Sequence, residues 1–263
     1  MDTELRKAHR IAVISGKGGV GKTVITANLA AMLSISGRRV LVVDADLGLA
    51  NLDILLGVSP EGTLLDALHG THTLEQILVH TDQGFDLLPA GSGLPEGAAL
   101  TQILSDGIKP ILRSLEQRYD FVLFDAGAGV GDVVLLFAGL SDEILLVATP
   151  EPTSLMDSYA AIKILNQLHG RSEFLFVVNQ ADPNCSGQIG AAVVCHLQNV
   201  ISRYIDTNQK KPVRIELIGS IPLDPAVPHS IRHRQLLAEF SPEAPSACLM
   251  HHLADYLHAR MAG

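Results

Sequence analysis

A glycine-rich run with two lysines is the part of the sequence whose residue types and spacing most directly indicate chemistry. Residues 16–23, Gly-Lys-Gly-Gly-Val-Gly-Lys-Thr, match the pattern G-x-x-x-x-G-K-[ST]. Glycines let the backbone turn tightly, so that its N–H groups face the phosphates of a nucleotide. The Lys22 ammonium reaches the β- and γ-phosphates, and the Thr23 hydroxyl is a ligand for Mg²⁺. The residues predicted to contact phosphate are Gly18, Gly19, Val20, Gly21, Lys22 and Thr23.

Aspartates end two of the apolar runs that are predicted as strands. Asp44 and Asp46 end the run Val-Val-Asp-Ala-Asp, and Asp125 ends the run Phe-Val-Leu-Phe-Asp. The carboxyl ends of parallel strands meet at the edge where ligands bind, so these carboxylates are expected near the phosphate loop. Asp125 fits the support of Mg²⁺; Asp44 and Asp46 either hold a metal-bound or attacking water or cap the strand end. The predicted metal-binding set is Thr23, Asp44 and Asp125.

Apolar runs alternate with helical patterns along most of the chain. The predicted strands are residues 11–14, 40–43, 85–88, 121–124, 144–148, 174–178 and 215–221. Several are apolar at consecutive positions, which is typical of parallel strands covered on both faces. Helical patterns cover residues 23–36, ending before Gly37, and residues 154–168, with Thr153 or Ser154 as N-cap. This order predicts an α/β fold: one doubly wound, mostly parallel sheet of seven or eight strands with helices on both faces.

The composition excludes several classes of protein. The chain has 263 residues, of which 47% are hydrophobic and 18% are charged, so a disordered polymer is excluded. The longest apolar run is far shorter than the ~20 residues of a membrane span, and no signal peptide is recognised before the first strand. Three cysteines without a C-x-x-C pair are typical of a reducing, cytoplasmic setting. Residues 1–263 are predicted to form a single domain, with a short tail at 1–9 and a final helix at 245–261.

The first lysine of the glycine-rich run, Lys17, points to one class of P-loop ATPases. Together with residues 44–46 and the run that ends at Asp125, it resembles the deviant Walker A ATPases of the MinD/ParA class. Within that class, residues 44–51, 88–93 and 149–154 are most similar to the flagellar number regulators called FlhG, FleN or YlxH. The resemblance covers about residues 10–257, and MinD is the next most similar relative.

The resemblance implies an activity and roles for individual residues. It implies slow, Mg²⁺-dependent hydrolysis of ATP to ADP by an ATP-dependent homodimer, in which Lys17 reaches the partner's nucleotide; by itself, Lys17 is also consistent with a solvated loop lysine. Asp46 is similar to the aspartate that positions the attacking water, and Asp157 to a residue that contacts partners across the dimer. The implied catalytic residues are Lys17, Lys22, Asp46 and Asp125, and the implied adenine-pocket residues are Asn179, Pro222 and Asp224.

The same resemblance implies partners and a location. A flagellar regulator of this class would bind the switch proteins FliM/FliN, the GTPase FlhF or a transcription activator, in the cytoplasm or at the inner face of the cell membrane. The flagellar regulators that this chain resembles stimulate FlhF through an N-terminal DQAxxLR-type motif, of which residues 4–6, Glu-Leu-Arg, are at most a remnant here. Residues 245–261 resemble a membrane helix, but their polar face carries histidines and one strong cation, Arg260. Docking of this helix on the sheet is therefore an equal alternative.

Three other roles stay open: a MinD-like regulator of the division site, a ParA-like ATPase that positions cargo on DNA, and a scaffold that keeps the fold but barely hydrolyses ATP, against which the intact Lys17, Lys22, Asp46 and Asp125 count. Residues 200–240 carry four acids and six cations, and the whole chain has 19 Lys and Arg against 28 Asp and Glu, a net charge of −9. The six cations are Arg203, Lys210, Lys211, Arg214, Arg232 and Arg234. Because acids lie among these cations, the region is more typical of a solvated, mixed-charge surface than of a weak DNA-binding surface. His229 and His233 have the spacing of metal ligands but no third ligand, which favours surface histidines.

Overall fold

The computed structural model describes residues 7–46, 51–89, 91, 98–115, 117–205 and 211–261. The strands in this part of the chain are β1 (His9–Ser15), β2 (Val40–Ala45), β3 (Val79–His80), β4 (Asp86–Pro89), β5 (Phe121–Ala128), β6 (Glu143–Ala148), β7 (Glu173–Ala181) and β8 (Arg214–Pro222). The helices are α1 (Lys22–Ile35), α2 (Leu52–Leu56), α3 (Leu64–Leu68), α4 (Leu74–Ile77), α5 (Ala98–Leu115), α6 (Asp132–Leu140), α7 (Pro152–His169), α8 (Ser186–Tyr204), α9 (Ala226–Arg232), α10 (Leu237–Phe240) and α11 (Pro245–Arg260).

The eight strands form one sheet in the order β3-β4-β2-β5-β1-β6-β7-β8. All neighbours are parallel except β3 and β4, which are antiparallel. The chain runs from β1 outwards to β2, β4 and β3, returns to place β5 beside β1, and then continues through β6, β7 and β8 on the other side of β1. The carboxyl end of β1 therefore lies at the switch point where doubly wound sheets bind ligands. The predicted fold class is confirmed.

Neighbouring residues of the central strands enter opposite hydrophobic cores. Ile11 and Val13 of β1 are buried against the helices of one face, which include α1 and α11. Ala12 and Ile14 are buried against the helices of the other face, which include α5, α6, α7 and α8. Because both faces are covered, the middle positions of such a strand are all apolar, which explains the consecutive apolar residues of the sequence.

Besides small shifts of the strand and helix ends, the structure differs from the predictions in two places. Strand β3 has two residues at the sheet edge and was not predicted, because so short a segment leaves no periodic signal in the sequence. The N-cap predicted at Thr153 or Ser154 was wrong: α7 begins at Pro152, and Glu151 is its N-cap. Proline is well suited to the first turn of a helix, and the buried Ser154 hydroxyl instead accepts the Thr149 N–H at 3.0 Å.

The final helix, α11, packs its apolar face against α1 and β8. Met250, Leu253 and Leu257 are almost completely buried in that core. A β-carbon added to Gly219 of β8 would lie 2.7 Å from a Leu253 methyl, so this glycine permits the close approach of helix and strand. The sequence left open whether residues 245–261 bind a membrane or dock on the sheet; in the structure they dock on the sheet. None of the helices in the described part of the chain combines the length and hydropathy that crossing a membrane requires.

Candidate nucleotide-binding site

The glycine-rich run forms the loop between β1 and α1, as its sequence predicts. Gly19 and Gly21 adopt left-handed backbone conformations, with φ of +78° and +94°, which residues with a β-carbon rarely adopt. Gly16 has a different function, because a β-carbon there would lie 2.3 Å from the backbone carbonyl carbon of Asp157 in α7. The loop therefore needs glycine for two reasons: the turn itself and the close approach of α7.

A cleft of about 810 Å³ opens beside this loop at the carboxyl ends of the strands. This volume is in the range of small-molecule and cofactor sites. Most of the predicted site residues line the cleft; they are Gly18, Gly19, Gly21, Lys22, Thr23, Asp46, Asn179, Pro222 and Asp224. The structure thus brings together segments that are up to about 200 residues apart in the sequence.

Asp125 is buried at the end of β5, beneath the first turn of α1. Its carboxylate accepts hydrogen bonds from the hydroxyls of Thr23 and Thr26, the latter at 3.2 Å. Burial raises the pKa of Asp125 to about 6, although these hydroxyls and the Lys22 ammonium favour its charged form. Lys22 is itself buried, which lowers the pKa of its ammonium, while Asp125 and Asp46 act in the opposite direction. These groups form a charged cluster that has little access to water.

Asp44 lies next to Asp125 in the register of β2 and β5. Burial, and then the neighbouring Asp125 carboxylate, raise the pKa of Asp44 to about 7. One Asp44 oxygen accepts the Asp46 N–H at 3.3 Å, and the other accepts the Leu52 N–H at 3.2 Å. These two hydrogen bonds hold the segment after β2 at the end of the strand. Asp44 therefore caps the strand end, which is one of the two roles that the sequence left open. Its role as a metal ligand stays a prediction.

The groups around Thr23 and Asp125 fit a magnesium ion. Mg²⁺ prefers oxygen ligands and is usually held by one or two carboxylates together with waters and the phosphates of the substrate. Within the part of the chain that the structure describes, no group of three or more His, Cys, Asp or Glu could hold a metal ion. The Thr23 hydroxyl and the Asp125 carboxylate meet at the start of α1, and a cation there would compensate the buried negative charge of this carboxylate.

Lys17 lies outside the cleft and contacts the start of α7. Its ammonium donates to a Glu151 carboxylate oxygen at 2.7 Å and to the Thr153 hydroxyl at 3.4 Å. Both members of the Lys17–Glu151 pair are substantially exposed, with side-chain exposures of 41% and 61%. Lys17 is therefore ion-paired within its own chain, and its predicted contact with a partner's nucleotide is a proposal.

The residues predicted for the adenine pocket lie on the opposite side of the loop from Asp46. The Asn179 side-chain amide donates to the Val20 carbonyl at 2.8 Å, so the end of β7 is fastened to the glycine-rich loop. Pro222 ends β8 and lines the cleft. One Asp224 oxygen accepts the Ala226 N–H at 2.9 Å, and the other accepts the Ser246 N–H and hydroxyl. The Asp224 carboxylate thus connects the starts of α9 and α11, and contact with a base stays a prediction.

Further cleft residues were not found from the sequence. They are Val24, Asn51, Ile54, Leu55, Ala128, Gln180, Leu223, Val227, Pro228, Ile231, Arg232, Arg234 and Met250. Six of these thirteen residues come from α2 and α9, short helices whose position depends on the sheet rather than on a motif. Gln180 and Arg234 have a feature in common: both are non-glycine residues with positive φ, +58° and +53°. No sequence pattern indicates such a conformation for Gln or Arg.

The other candidate sites of the sequence are divided or exposed in the structure. Arg232 and Arg234 lie at the cleft, whereas Lys211 and Arg214 lie at the opposite end of β8, where Lys211 pairs with Glu173 at 2.8 Å. The basic residues of 200–240 therefore do not form one surface. His229 and His233 are exposed, and the His233 ring stacks on Phe240, in agreement with surface histidines. Residues 4–6, 47–50, 90, 92, 93 and 210, on which parts of the resemblance and of the basic region rest, lie outside the described residues.

A family comparison agrees with this geometry. Residues 6–258 match the ParA family model described as "NUBPL iron-transfer P-loop NTPase". The chain belongs to the ParA/MinD family of P-loop NTPases. It is similar to the antiactivator FleN of Pseudomonas aeruginosa, with 37% identity over 90% of this chain and 81% of FleN. It is also similar to the flagellum site-determining protein YlxH of Helicobacter pylori, with 34% identity over 88% of this chain and 76% of YlxH.

Solved structures of the family have the same fold. The MinC:MinD cell division complex of Aquifex aeolicus matches with a TM-score of 0.77 and 26% identity, over 96% of each chain. MinD of Pyrococcus horikoshii, solved with Mg-ADP, matches with a TM-score of 0.72 and 28% identity, over 97% of this chain and 98% of that one. P-loop NTPases of this type hydrolyse nucleotides, and ATPase activity is thus supported at the level of the family.

Proposed function

We propose that the protein is a slow, Mg²⁺-dependent ATPase that dimerises on ATP and regulates the number and placement of flagella. The catalytic part rests on the cleft in which the P-loop, Lys22 and Asp46 lie together. The biological part rests on the similarity to FleN and YlxH, each of which is matched over more than three quarters of its length.

In this proposal each group of cleft residues has a distinct role in phosphoryl transfer. The N–H groups of the loop and the Lys22 ammonium bind the β- and γ-phosphates and stabilise the charge of the transition state. Thr23 and Asp125 hold Mg²⁺, which neutralises phosphate charge when it is bound. Asp46 orients the attacking water. MinD of Pyrococcus horikoshii was solved with Mg-ADP, which supports Mg²⁺ and an adenine nucleotide as the occupants of this cleft.

Lys17 acts only in the dimer. Its ion pair with Glu151 is exposed, and exposed pairs contribute about 0–1 kcal/mol, so little free energy is needed to release the ammonium. Released, it adds positive charge to the partner's nucleotide, as an arginine finger does. ATP then links two copies, and hydrolysis separates them.

Phosphate release tests the catalytic part of the proposal. The wild-type protein should release phosphate from ATP only with Mg²⁺, and the Asp46→Ala variant should lose this activity but still bind ATP. Light scattering after gel filtration should find a dimer for Asp46→Ala with ATP and a monomer with ADP. Equal phosphate release by wild type and Asp46→Ala would remove Asp46 from the mechanism.

Deletion of the gene tests the biological part. Flagella should change in number or position, and a copy with Lys22→Ala should not restore them. We propose the flagellar switch proteins FliM/FliN, FlhF or a transcription activator as partners. Unchanged flagella with altered division sites would favour the MinD-like role instead, for which similarity to MinD of Bacillus subtilis, 35% identical over 65% of this chain, provides family context.

Peripheral membrane binding requires a surface other than the docked face of α11, or the release of this helix. Co-sedimentation of Asp46→Ala with anionic liposomes, with ATP and then with ADP, distinguishes the two states. Pelleting only with ATP would support a membrane-bound dimer. If the protein stays in the supernatant in both states, a protein scaffold or DNA becomes the surface on which the dimer acts.

A further inference from the structure

A groove of about 410 Å³ lies at the amino ends of the strands, opposite the end that carries the nucleotide cleft. Its walls are the start of β1, the second half of α5 and the end of α6. Four of the six described lining residues are cations and none is an acid; the six are Lys7, Arg10, Lys109, Leu112, Arg113 and Leu140. The groove therefore presents positive charge in a chain whose net charge is −9.

The two cations of α5 have no partner within the part of the chain that the structure describes. Lys109 and Arg113 are exposed and lie four residues apart, so their side chains are neighbours on one face of the helix. Neither makes an ion pair or a hydrogen bond with another described side chain. Asp106, one turn earlier, instead accepts two hydrogen bonds from the Gln102 side-chain amide, at 2.9 and 3.0 Å. The charges of Lys109 and Arg113 are therefore available to a ligand.

On the opposite wall of the groove, Arg10 is held in place by Asp142. Its guanidinium donates to both carboxylate oxygens, at 3.2 and 2.9 Å. The end of α6 is fixed as well, because Arg171 donates to the carbonyls of Ala138, at 2.9 Å, and of Ser141. This wall is formed before any ligand binds, which reduces the conformational entropy that binding costs.

Other cations at the amino ends of the strands lie beside carboxylates. The pairs are Arg39 with Asp120, Lys211 with Glu173 and Arg260 with Glu143. Lys109 and Arg113 differ from these residues, so the groove has an excess of positive charge where its surroundings are neutralised. Such a site attracts a negatively charged ligand.

The floor of the groove is apolar. Leu112 is almost completely buried in the core, and Leu140 is half-buried against it. A ligand that carries only charge, such as inorganic phosphate, would leave this floor uncovered. A peptide segment with an apolar side chain between its carboxylates would cover the floor and pair with the cations at the same time.

An extended polyanion fits this surface less well than a short segment does. A DNA duplex or an anionic membrane carries charge over an area wider than the groove. It would therefore also meet the acids beside the groove, Asp106 and Asp142, and the negative charge of the chain as a whole. A short acidic segment contacts the groove alone.

We propose that this groove binds a short acidic segment of a partner protein. Carboxylates of the segment pair with Lys109 and Arg113, and an apolar side chain packs on Leu112 and Leu140. Because the groove and the nucleotide cleft lie at opposite ends of the strands, the segment binds both without nucleotide and in the presence of ATP. The site is separate from the proposed ATPase activity and does not depend on it.

Fluorescence anisotropy with a short fluorescein-labelled peptide of Glu and Leu tests the proposal. The peptide should bind the wild-type protein at about 0.05 M NaCl and about tenfold more weakly at about 0.5 M, because salt screens exposed charges. The same peptide with Gln in place of Glu should not bind, and one with Gly in place of Leu should bind at least about threefold more weakly. Addition of ATP and Mg²⁺ should change the Kd by less than about twofold, because the two sites are distant.

Two double variants separate the groove from the general charge of the protein. Lys109→Gln/Arg113→Gln should weaken peptide binding by about tenfold or more. Lys163→Gln/Arg203→Gln is the matched control, since it also removes one lysine and one arginine, from exposed positions on α7 and α8, and should leave the Kd within about twofold. Because all four side chains are exposed, both variants should keep the wild-type melting temperature within about 2 °C.

Several results would overturn the proposal. They are equal weakening by the two double variants, equal binding of the Leu and Gly peptides, and no peptide binding at low salt. If duplex DNA or vesicles of phosphatidylglycerol bound more tightly than the peptide, and Lys109→Gln/Arg113→Gln abolished that binding, the groove would be a nucleic-acid or membrane site instead. A protein that binds the peptide as expected but neither binds nor hydrolyses ATP would contradict the proposed function and support this site.

Discussion

At the carboxyl ends of the strands, Asp44 and Asp125 are buried, and the pKa values of both are raised, to about 7 and about 6. At the amino ends, by contrast, acids lie beside arginines. Asp142 pairs with Arg10 at 2.9 Å, Asp120 with Arg39 at 3.0 Å and Glu143 with Arg260 at 2.5 Å. Burial also raises the pKa values of Asp142 and Glu143, but their hydrogen bonds from Arg10, and from His9 and Arg260, outweigh it and lower them.

The difference indicates where the protein is stabilised and where it is prepared for a ligand. Paired acids at the amino ends favour the folded state above the pKa that they have in the unfolded chain. Buried acids at the carboxyl ends disfavour the folded state when they are charged, and a ligand with bound cations relieves this cost. Gln180 and Arg234, the described non-glycine residues with positive φ, line the cleft at the same end and add backbone strain there. Without a ligand, the carboxyl ends of the strands therefore contribute less to the stability of the fold than the amino ends do, as is common at binding sites.

The largest expected effect is on hydrolysis at the nucleotide end. Lys22→Ala removes the charge that would stabilise the transferred phosphoryl group, so ATP hydrolysis should fall by about 100-fold or more. Arg39→Ala, at the amino ends, is the matched control and should leave hydrolysis within about twofold. Steady-state phosphate release measures both. Equal losses in the two variants would show that the ends are not functionally distinct.

A substitution at Asp125 should increase stability while it impairs catalysis. Asp125→Asn keeps the shape and an acceptor for Thr26 but removes the buried charge, so the free energy of unfolding without Mg²⁺ and nucleotide should rise by about 1–3 kcal/mol near pH 8. Because the pKa of Asp125 is raised to about 6 from 3.8, this gain should be complete above pH 6 and should disappear as the pH falls towards 3.8. Urea unfolding at several pH values measures it; a loss of stability at about pH 8 would contradict the comparison.

The opposite sign is expected at Asp142. Asp142→Asn removes the charge that pairs with Arg10, and because the carboxylate is partly exposed, the free energy of unfolding should fall by only about 1 kcal/mol at neutral pH. The pKa of Asp142 is lowered in the folded state, so its stabilisation is present above the usual pKa of 3.8 and is lost as the pH falls through the folded value. Urea unfolding of this variant beside Asp125→Asn gives a direct test. If both variants changed the free energy of unfolding in the same direction at neutral pH, the proposed difference between the two ends of the sheet would be wrong.

The smallest effect is expected at Arg260, which connects α11 to Glu143 and Glu216 at the surface. Arg260→Ala should lower the free energy of unfolding by less than about 1 kcal/mol, and the difference should shrink in about 1 M NaCl because salt screens exposed charges. Leu253→Ala in the same helix removes a fully buried side chain and should cost about 2–5 kcal/mol regardless of salt. If Arg260→Ala cost as much as Leu253→Ala, α11 would be held by charge rather than by packing.

Much of the fold could be predicted because its signals are local. The predicted strands are all present, extended by one or more residues at an end or moved by one, since buried parallel strands carry their own apolar runs. Strand β3 and the short helices of the cleft were missed, because segments of two to seven residues are held by tertiary contacts rather than by their own periodicity. The division of residues 1–263 into a single domain with a tail and a final helix stays a prediction.

The sequence by itself determined the phosphate loop, since glycine and lysine spacing specifies the backbone turn and the charge that a triphosphate needs. It also determined that Asp46 and Asp125 would lie at one edge, because strand ends in a parallel sheet meet there. Only the tertiary structure decided that Lys17 pairs with Glu151, that α11 docks on β8 and that Asn179 reaches Val20. These contacts join residues 34 to 159 positions apart, and they depend on strand order and helix docking, neither of which a local pattern encodes.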